Sequence, residues 1–205
     1  MFDQSAQKKE LRKSFLALRA KLRTDLGNNW EEALVRRFDD FLLQSGVEIC
    51  GPTLSYFPIQ NEPKILPAPE QKPWYFPKTT QSELQWFPWT SSQALPPLGK
   101  YGIPEADQAV DISALLSNSV ALCFTPALAA DKHGHRLGYG KGFYDRFFAR
   151  PDLQGRIVSV VLLHEMQLVD ELPADPHDRR VDLCVTNERF LFFTAKDQVL
   201  RKLGN

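Results

Sequence analysis

The sequence is sparing with several residue types. Its 205 residues include two methionines, three cysteines and four histidines, and 25 lysines and arginines balance 25 aspartates and glutamates. A chain with no net charge has no global footprint for nucleic acid or for an anionic membrane surface. No apolar run approaches the roughly 18 residues of a membrane span. The charged opening, MFDQSAQKKELRK, lacks the apolar stretch of a secretory signal. Cys50, Cys123 and Cys184 are odd in number and far apart, with no C-x-x-C pair among them. That pattern argues against a disulfide framework and a cysteine zinc site, and it predicts buried free thiols. His133 and His135 flank Gly134 and read as exposed turn residues. These absences predict a cytoplasmic protein with neither nucleic acid nor membrane among its partners; the expectation for the chain is a monomer that acts on small molecules.

What the chain does have is a core, 43% hydrophobic, in a length that suits one domain over residues 1–205. Residues 6–23 read as an amphipathic helix with Leu11, Phe15, Leu18 and Leu22 in one stripe. Around that stripe stand Lys8, Lys9, Arg12, Lys13, Arg19, Lys21 and Arg23, against one acid, Glu10. Such an excess is either a solvated face or a set of cations turned toward an anionic ligand. Lys8 and Arg12 are four apart and share one side. A second helix is predicted over 30–43, with Leu34, Phe38, Phe41 and Leu42 inward and Gly46 as its stop.

"VEICGPTLSYFPI" (47–59) reads as a strand kinked at Gly51-Pro52. Residues 62–97 are rich in proline and tryptophan, with short strands at "PWYFP" and "LQWFPW" and no helix signal. "SVALCFTPAL" (119–128) and "RIVSVVLLHE" (156–165) are continuous apolar runs of the kind buried on both faces of a parallel sheet. "VDLCVTN" and "RFLFF" follow. A strand, a glycine loop, a helix at about 142–149 and another strand make a crossover unit. The expected fold is therefore α/β. It is a single domain with a mixed, mainly parallel central sheet flanked by helices, and with a glycine-rich phosphate loop at a strand-to-helix turn.

That loop is the least ordinary part of the chain. Of 11 glycines, four fall from Gly134 to Gly142, in "GHRLGYGKG". Glycines before a helix let the backbone close around a bulky anion, and the helix start offers free N–H groups. Arg136 and Lys141 add full charges. Lys141 precedes Gly142 and not Ser or Thr, so this is no Walker loop. The spacing G-x-G-x-G is not the dinucleotide fingerprint either. Asp145, in the first turn of the helix, either complements the dipole or holds Mg2+ beside bound phosphates. Arg136, Lys141 and Asp145 are the candidate catalytic residues.

"RLGYGKGFYDRF" (136–147) resembles the signature of the 5-formyltetrahydrofolate cyclo-ligase family. "KKELRK", "YFPIQNEP", "KYGIPEAD", "FTPALAAD" and "PHDRRVDLCVTNE" agree with it in order, over nearly the whole chain. The resemblance implies closure of 5-formyltetrahydrofolate to 5,10-methenyltetrahydrofolate with ATP and Mg2+, releasing ADP and phosphate. It implies ATP contacts at Lys8, Lys9, Glu10, Leu11 and Arg12, with Lys8 and Arg12 on the phosphates. It also implies ATP contacts along Arg136, Leu137, Gly138, Tyr139, Gly140, Lys141, Gly142, Phe143 and Tyr144. Folate contacts are implied at Phe57 and Glu62 and along Tyr139 to Phe143, and Mg2+ at Asp145 and Asp178. Asp182 is the alternative metal carboxylate, and Glu105 a possible loop carboxylate near the folate.

Two departures from the family pattern bear on the site. The "NEP" segment runs into proline-rich "KILPAPEQKPWYFP" where a helix is expected, which would remodel the folate side. Lys141 stands where the family often has Gly, and Phe143 where it often has Tyr. The alternatives are a folate- or nucleotide-binding protein without turnover, and an RNA-binding module that uses the basic first helix.

Overall fold

The computed structural model describes residues 4–27, 29–66 and 72–204. Helices α1 (Gln4–Leu26) and α2 (Asn29–Ser45) come first, each slightly longer than its periodicity predicts. Each ends at a glycine in the left-handed region, Gly27 at φ 64° and Gly46 at φ 63°. Their amides return to the carbonyls of Arg23 and Leu43, both at 3.1 Å. These are the positions where a residue with a Cβ would be strained. The buried residues of α1 are Lys8, Phe15, Arg19 and Leu22. Two members of the inward face are thus cations, where hydrophobic periodicity alone had put four apolar residues; Leu11 and Leu18 are only partly buried.

In chain order the strands are β1 (Thr53–Leu54), β2 (Trp74–Thr79), β3 (Leu84–Trp89), β4 (Ala121–Phe124), β5 (Ala129–Asp131), β6 (Arg136–Leu137), β7 (Ile157–Leu163), β8 (Leu168–Val169), β9 (Leu183–Thr186) and β10 (Phe190–Phe192). Seven form one sheet in the order β10-β9-β7-β4-β1-β2-β3. Its inner pairs are parallel, and only the outermost strands, β10 and β3, run antiparallel to their neighbours. This is the mixed, mainly parallel sheet expected. A small second sheet, β6-β5-β8, stands beside it.

Three further helices complete the fold: α3 (Ile112–Leu115), α4 (Phe143–Ala149) and α5 (Lys196–Leu203). Side chains alternate across the parallel strands, as the pleat requires. Leu122 and Phe124 of β4 face α2 and α5 with Phe38, Phe41, Val199 and Leu203. Ala121 and Cys123 face the other way, toward α3 and α4 with Trp86, Leu116 and Phe147. Helix α1 lies on the second sheet through Phe15, Leu128, Ala129, Leu137 and Leu172. Among the described residues no helix is long and apolar enough to cross a membrane.

Several expectations need correction. The 119–128 run is not one strand: β4 ends at Phe124, before Pro126, which has no N–H to give to a ladder. The chain then crosses to the second sheet, and the glycine loop leaves β6 and not the buried parallel strand. Residues 47–59 yield only the two-residue β1, since the chain is pinned at Gly51 and leaves the sheet after Leu54. Cys123 and Cys184 are buried and free, and burial pushes both thiols up to about 12; Cys50 is exposed. Residues 67–71, in the proline-rich segment expected to reshape the folate side, lie outside the described residues.

Gly51 fixes the approach of β1 to β4. A Cβ there would fall 1.9 Å from the Val120 carbonyl oxygen, beside the bond from the Leu122 amide to the Pro52 carbonyl at 3.1 Å. Backbone cannot swing aside as a side chain can. Gly51→Ala is expected to lower unfolding stability by about 1–3 kcal/mol, read as a lower urea midpoint. An unshifted midpoint would show that this junction relaxes freely.

Candidate active site

The parallel strands β1 and β4 end side by side, and the chain leaves both at the same edge of the sheet. Above their carboxyl ends lies a cavity of about 750 Å³. Open α/β sheets hold ligands at this place, because departing loops leave a crevice there. Its walls include the start of α1, the loop after β1, the β2–β3 hairpin, the loop around Tyr101, Pro126 after β4, the glycine loop with α4, and residues 175–178. They bring together Lys8, Arg12, Phe57, Glu62, the run Arg136 to Asp145, and Asp178. Of the predicted ATP contacts, the side chains of Lys9, Glu10 and Leu11 are not on this wall. They fall between Lys8 and Arg12 in sequence and are rotated away by the helix. Glu10 pairs with Lys13 at 2.8 Å in solvent, and Leu11 packs toward the second sheet.

Arg12 lies along the glycine loop. Its Nε donates to the Gly138 carbonyl at 2.9 Å. Gly140 sits at φ 86°, and a Cβ on it would come 3.0 Å from the Arg12 guanidinium carbon. The glycine is required twice, for its backbone angle and for the close approach of the cation. Gly142 caps α4 at φ 65°. That helix has seven residues, so its dipole is short, and the full charges of Arg12, Arg136 and Lys141 dominate the local field. Lys141 is exposed at the rim, its Nζ 5.8 Å from the centre of the Tyr101 ring.

The carboxylates are held by cations. Lys8 donates to Oδ2 of both Asp175 and Asp178, the latter at 2.7 Å. Burial pushes the Asp178 acid up, but the Asp175 amide and the Lys8 ammonium outweigh it and leave the acid below its ordinary value. The same bonds raise the Lys8 ammonium against the opposing effect of its burial. Arg136 donates from Nη2 to Asp145 Oδ1 at 2.9 Å and from Nη1 to the Arg179 carbonyl at 2.7 Å. The Arg179 amide also donates to Asp145 Oδ1, at 3.2 Å. The loop that carries Asp178 is thereby tied to the helix that carries Asp145.

Asp175, His177 and Asp178 present ligand atoms within 4.8 Å of one another. The contacts above fall on Oδ2 of Asp178 and Oδ1 of Asp145, which leaves one oxygen of each for a further ligand. Hard carboxylate oxygens of this kind suit Mg2+. Asp175 and His177 were not among the predicted ligands, although the spacing D-x-H-D around Asp178 carried the signal. Asp182 is otherwise engaged. Its Oδ2 accepts from the Ser159 amide and hydroxyl, both at 2.8 Å, and its Oδ1 from Thr194 at 2.6 Å. Glu105 accepts from the Thr79 hydroxyl at 2.6 Å and its amide at 3.1 Å, bracing one wall from behind.

Glu62 is 4% exposed. The chain turns into it through Gln60 and Asn61, at φ 48° and 61°, and its Oε2 accepts from the Ile59 amide at 2.9 Å. Oε1 is buried without a partner. Burial pushes this acid up to about 7, against the pull of the Ile59 amide, Arg19 and the Tyr139 hydroxyl. Phe57 stacks on Phe76, with ring centres 4.3 Å apart, and forms an apolar wall beside it.

An acid that ionises near pH 7 when folded, against an ordinary 4.5, binds its proton more tightly in the folded state. Its contribution therefore favours folding below about pH 4.5 and is lost as pH rises toward about 7. Glu62→Gln removes that dependence. Unfolding free energies of the two proteins are expected to diverge between about pH 5 and pH 8, the variant gaining up to about 3 kcal/mol relative to wild type. Parallel curves would show that Glu62 does not resist ionisation.

The model of the 5-formyltetrahydrofolate cyclo-ligase family matches residues 4–187. The chain is 42% identical to the 5-formyltetrahydrofolate cyclo-ligase of Mycolicibacterium smegmatis over 64 residues, 31% of this chain and 32% of that one. It is 37% identical to the mouse (Mus musculus) protein of the same name over 71 residues, 34% of this chain and 35% of that one. The matched segment thus spans about a third of each of these relatives. The solved structure of Aquifex aeolicus 5,10-methenyltetrahydrofolate synthetase superposes with a TM-score of 0.69 and 26% identity, covering 92% of this chain and 93% of that one. With a family model matched over most of its length and a neighbour of the same architecture throughout, the chain belongs to the 5-formyltetrahydrofolate cyclo-ligase family.

Proposed function

We propose that the protein closes 5-formyltetrahydrofolate to 5,10-methenyltetrahydrofolate, with ATP as co-substrate and Mg2+ as cofactor. The observation that carries this reading is the composition of one cavity. Cations of α1 and the glycine loop, the carboxylates Asp145 and Asp178, each bonded to its own cation, and the buried acid Glu62 beside an aromatic wall all face it.

An N-formyl group is an amide, and its oxygen is a poor leaving group. Transfer of the γ-phosphoryl group to that oxygen makes it a good one. The N10 amine then attacks the formyl carbon, its proton is lost, and phosphate departs to leave the methenyl bridge and ADP. This chemistry needs alignment and charge neutralisation, and no protein nucleophile. Arg12 and Lys141 suit the phosphates, and Arg136 orients Asp145. Mg2+ held by Asp145 and Asp178 would supply charge neutralisation beside the phosphate oxygens. Glu62 offers an acceptor to the N–H edge of the amino-pyrimidine ring, and Phe57 and Phe143 offer apolar surface to the pterin. The partners on this reading are ATP and the folate alone.

The test is ADP release by the purified protein with and without 5-formyltetrahydrofolate. Folate-dependent release supports the reading. Folate binding without release would make the protein a binder only. Asp145→Asn is expected to fold and to lose at least about 100-fold in turnover, or ~2.7 kcal/mol of transition-state stabilisation. Near-normal turnover at saturating Mg2+ would remove the carboxylate from the mechanism. Arg12→Ala is expected to raise the KM for ATP about tenfold, with a smaller effect on folate, as loss of one charge-assisted contact predicts. Unchanged ATP kinetics would leave Arg12 as a brace of the loop only.

A further inference from the structure

Beneath the folate side of the cavity lies a cation that the chemistry above does not use. Arg19 is fully buried. Its Nη1 donates to the Tyr139 hydroxyl oxygen at 2.9 Å, its Nη2 donates to the Ala127 carbonyl, and its Nε has no partner. A buried guanidinium is costly unless an anion is near. The acids in its field are Glu31 and Glu62. Glu31 already has a cation of its own, Arg23, at 2.6 Å. Glu62 has none.

Tyr139 links the two. Its oxygen accepts from Arg19 at 2.9 Å, and it lines the same cavity as Glu62, with which its hydroxyl interacts electrostatically; the Glu62 Oε1 lacks a hydrogen-bond partner among the described residues. A phenol that accepts from a guanidinium keeps its own proton to give, and the cation makes it a stronger donor. We propose that Arg19 is a positioning residue for the folate: it turns the Tyr139 phenol into a donor toward Glu62, and so holds that side chain as the carboxylate that meets the amino-pyrimidine edge. This rests on the folate placement proposed above.

The titratable and charged groups around Glu62 are Arg19 from α1, Tyr139 from the glycine loop, Tyr56 from the end of β1, and Tyr144 from α4. Tyr56 and Tyr144 are buried phenols that stay neutral. Arg19 and Tyr139, with the Ile59 amide, favour the ionised acid. Removing either of the first two therefore moves ionisation of Glu62 to higher pH.

The experiment measures kinetics and calorimetric 5-formyltetrahydrofolate binding for wild type, Tyr139→Phe, Arg19→Lys, the double variant and Glu62→Gln. Tyr139→Phe keeps the ring and its packing, so it decides the matter even where Arg19→Lys fails to fold. The expected result is a folate KM raised about tenfold, with the ATP KM changed less than about twofold. The pH below which folate affinity falls should move upward. The double variant should be no worse than the weaker single one, since both break one link. A normal folate KM and pH profile in Tyr139→Phe, in a protein that Glu62→Gln impairs, overturns the role of Arg19. Equal losses for ATP and folate overturn it too, because they mark a loosened loop. Indifference to Glu62→Gln as well would sink the folate placement itself.

Discussion

The docking of α1 onto the glycine loop and its neighbours is the contact on which the site depends. Lys8, Arg12 and Arg19 follow one another at helical spacing along one face, and each reaches a different wall. Lys8 holds Asp175 and Asp178, Arg12 holds the Gly138 carbonyl, and Arg19 holds Tyr139 and the Ala127 carbonyl. Hydrophobic packing through Phe15 and Leu22 anchors the same face. An apolar stripe alone would bind the helix without fixing its height or rotation, because burial is not directional. Three cations with separate acceptors fix both. The helix and the loop thus hold each other, and a side chain at Gly140 would push against the Arg12 guanidinium.

This arrangement explains how a chain with no net charge concentrates charge along one cavity. The cations are not in excess; they are sorted. Those facing carboxylates are neutralised locally, which keeps the cost of burying them bearable. Arg136 is 4% exposed at its side chain, yet it has Asp145, the Arg179 carbonyl and the Phe148 ring around it. The pairs in turn hold the carboxylates in place. Carboxylates already oriented in this way would lose less freedom on holding the metal ion proposed above.

Much of this could be read in the sequence, and the reasons differ by element. The parallel strands β4 and β7 were legible because strands buried on both faces must be apolar throughout. Glycines among charges marked the loop because few other roles need both. Arg19 was legible only as one more cation beside a stripe. Periodicity scores an arginine as solvent-facing, and its burial depends on Ala127 and Tyr139, which lie more than a hundred residues away. The end of β4 at Phe124, before the 119–128 run is complete, and the passage of the chain to the second sheet at Ala129 were hidden for a similar reason. An apolar run does not say which neighbour it pairs with, and β5 pairs with β6 and β8 through contacts that only the folded chain supplies. Helix α5 has a clear apolar face of Val199 and Leu203, but its eight residues become stable only on the sheet.

The paired and unpaired cations also divide the work. Lys8 and Arg136 already have carboxylates, so a phosphate gains little from them unless those bonds are given up. Arg12 and Lys141 have no ion pair among the described residues: Arg12 is bonded to a carbonyl, and Lys141 lies near an aromatic ring. Neither contact cancels the charge, so an anion entering the cavity meets cations, Arg12 and Lys141 among them, that need not abandon an acidic partner. Both belong to the walls of the glycine loop, one at its base and one at its rim. On the reading proposed above, the acid that meets the folate is Glu62, beside Tyr139. The glycine loop therefore borders both the unpaired cations and, through Tyr139, the buried acid, and on the chemistry proposed above the phosphoryl group and the folate would meet beside it.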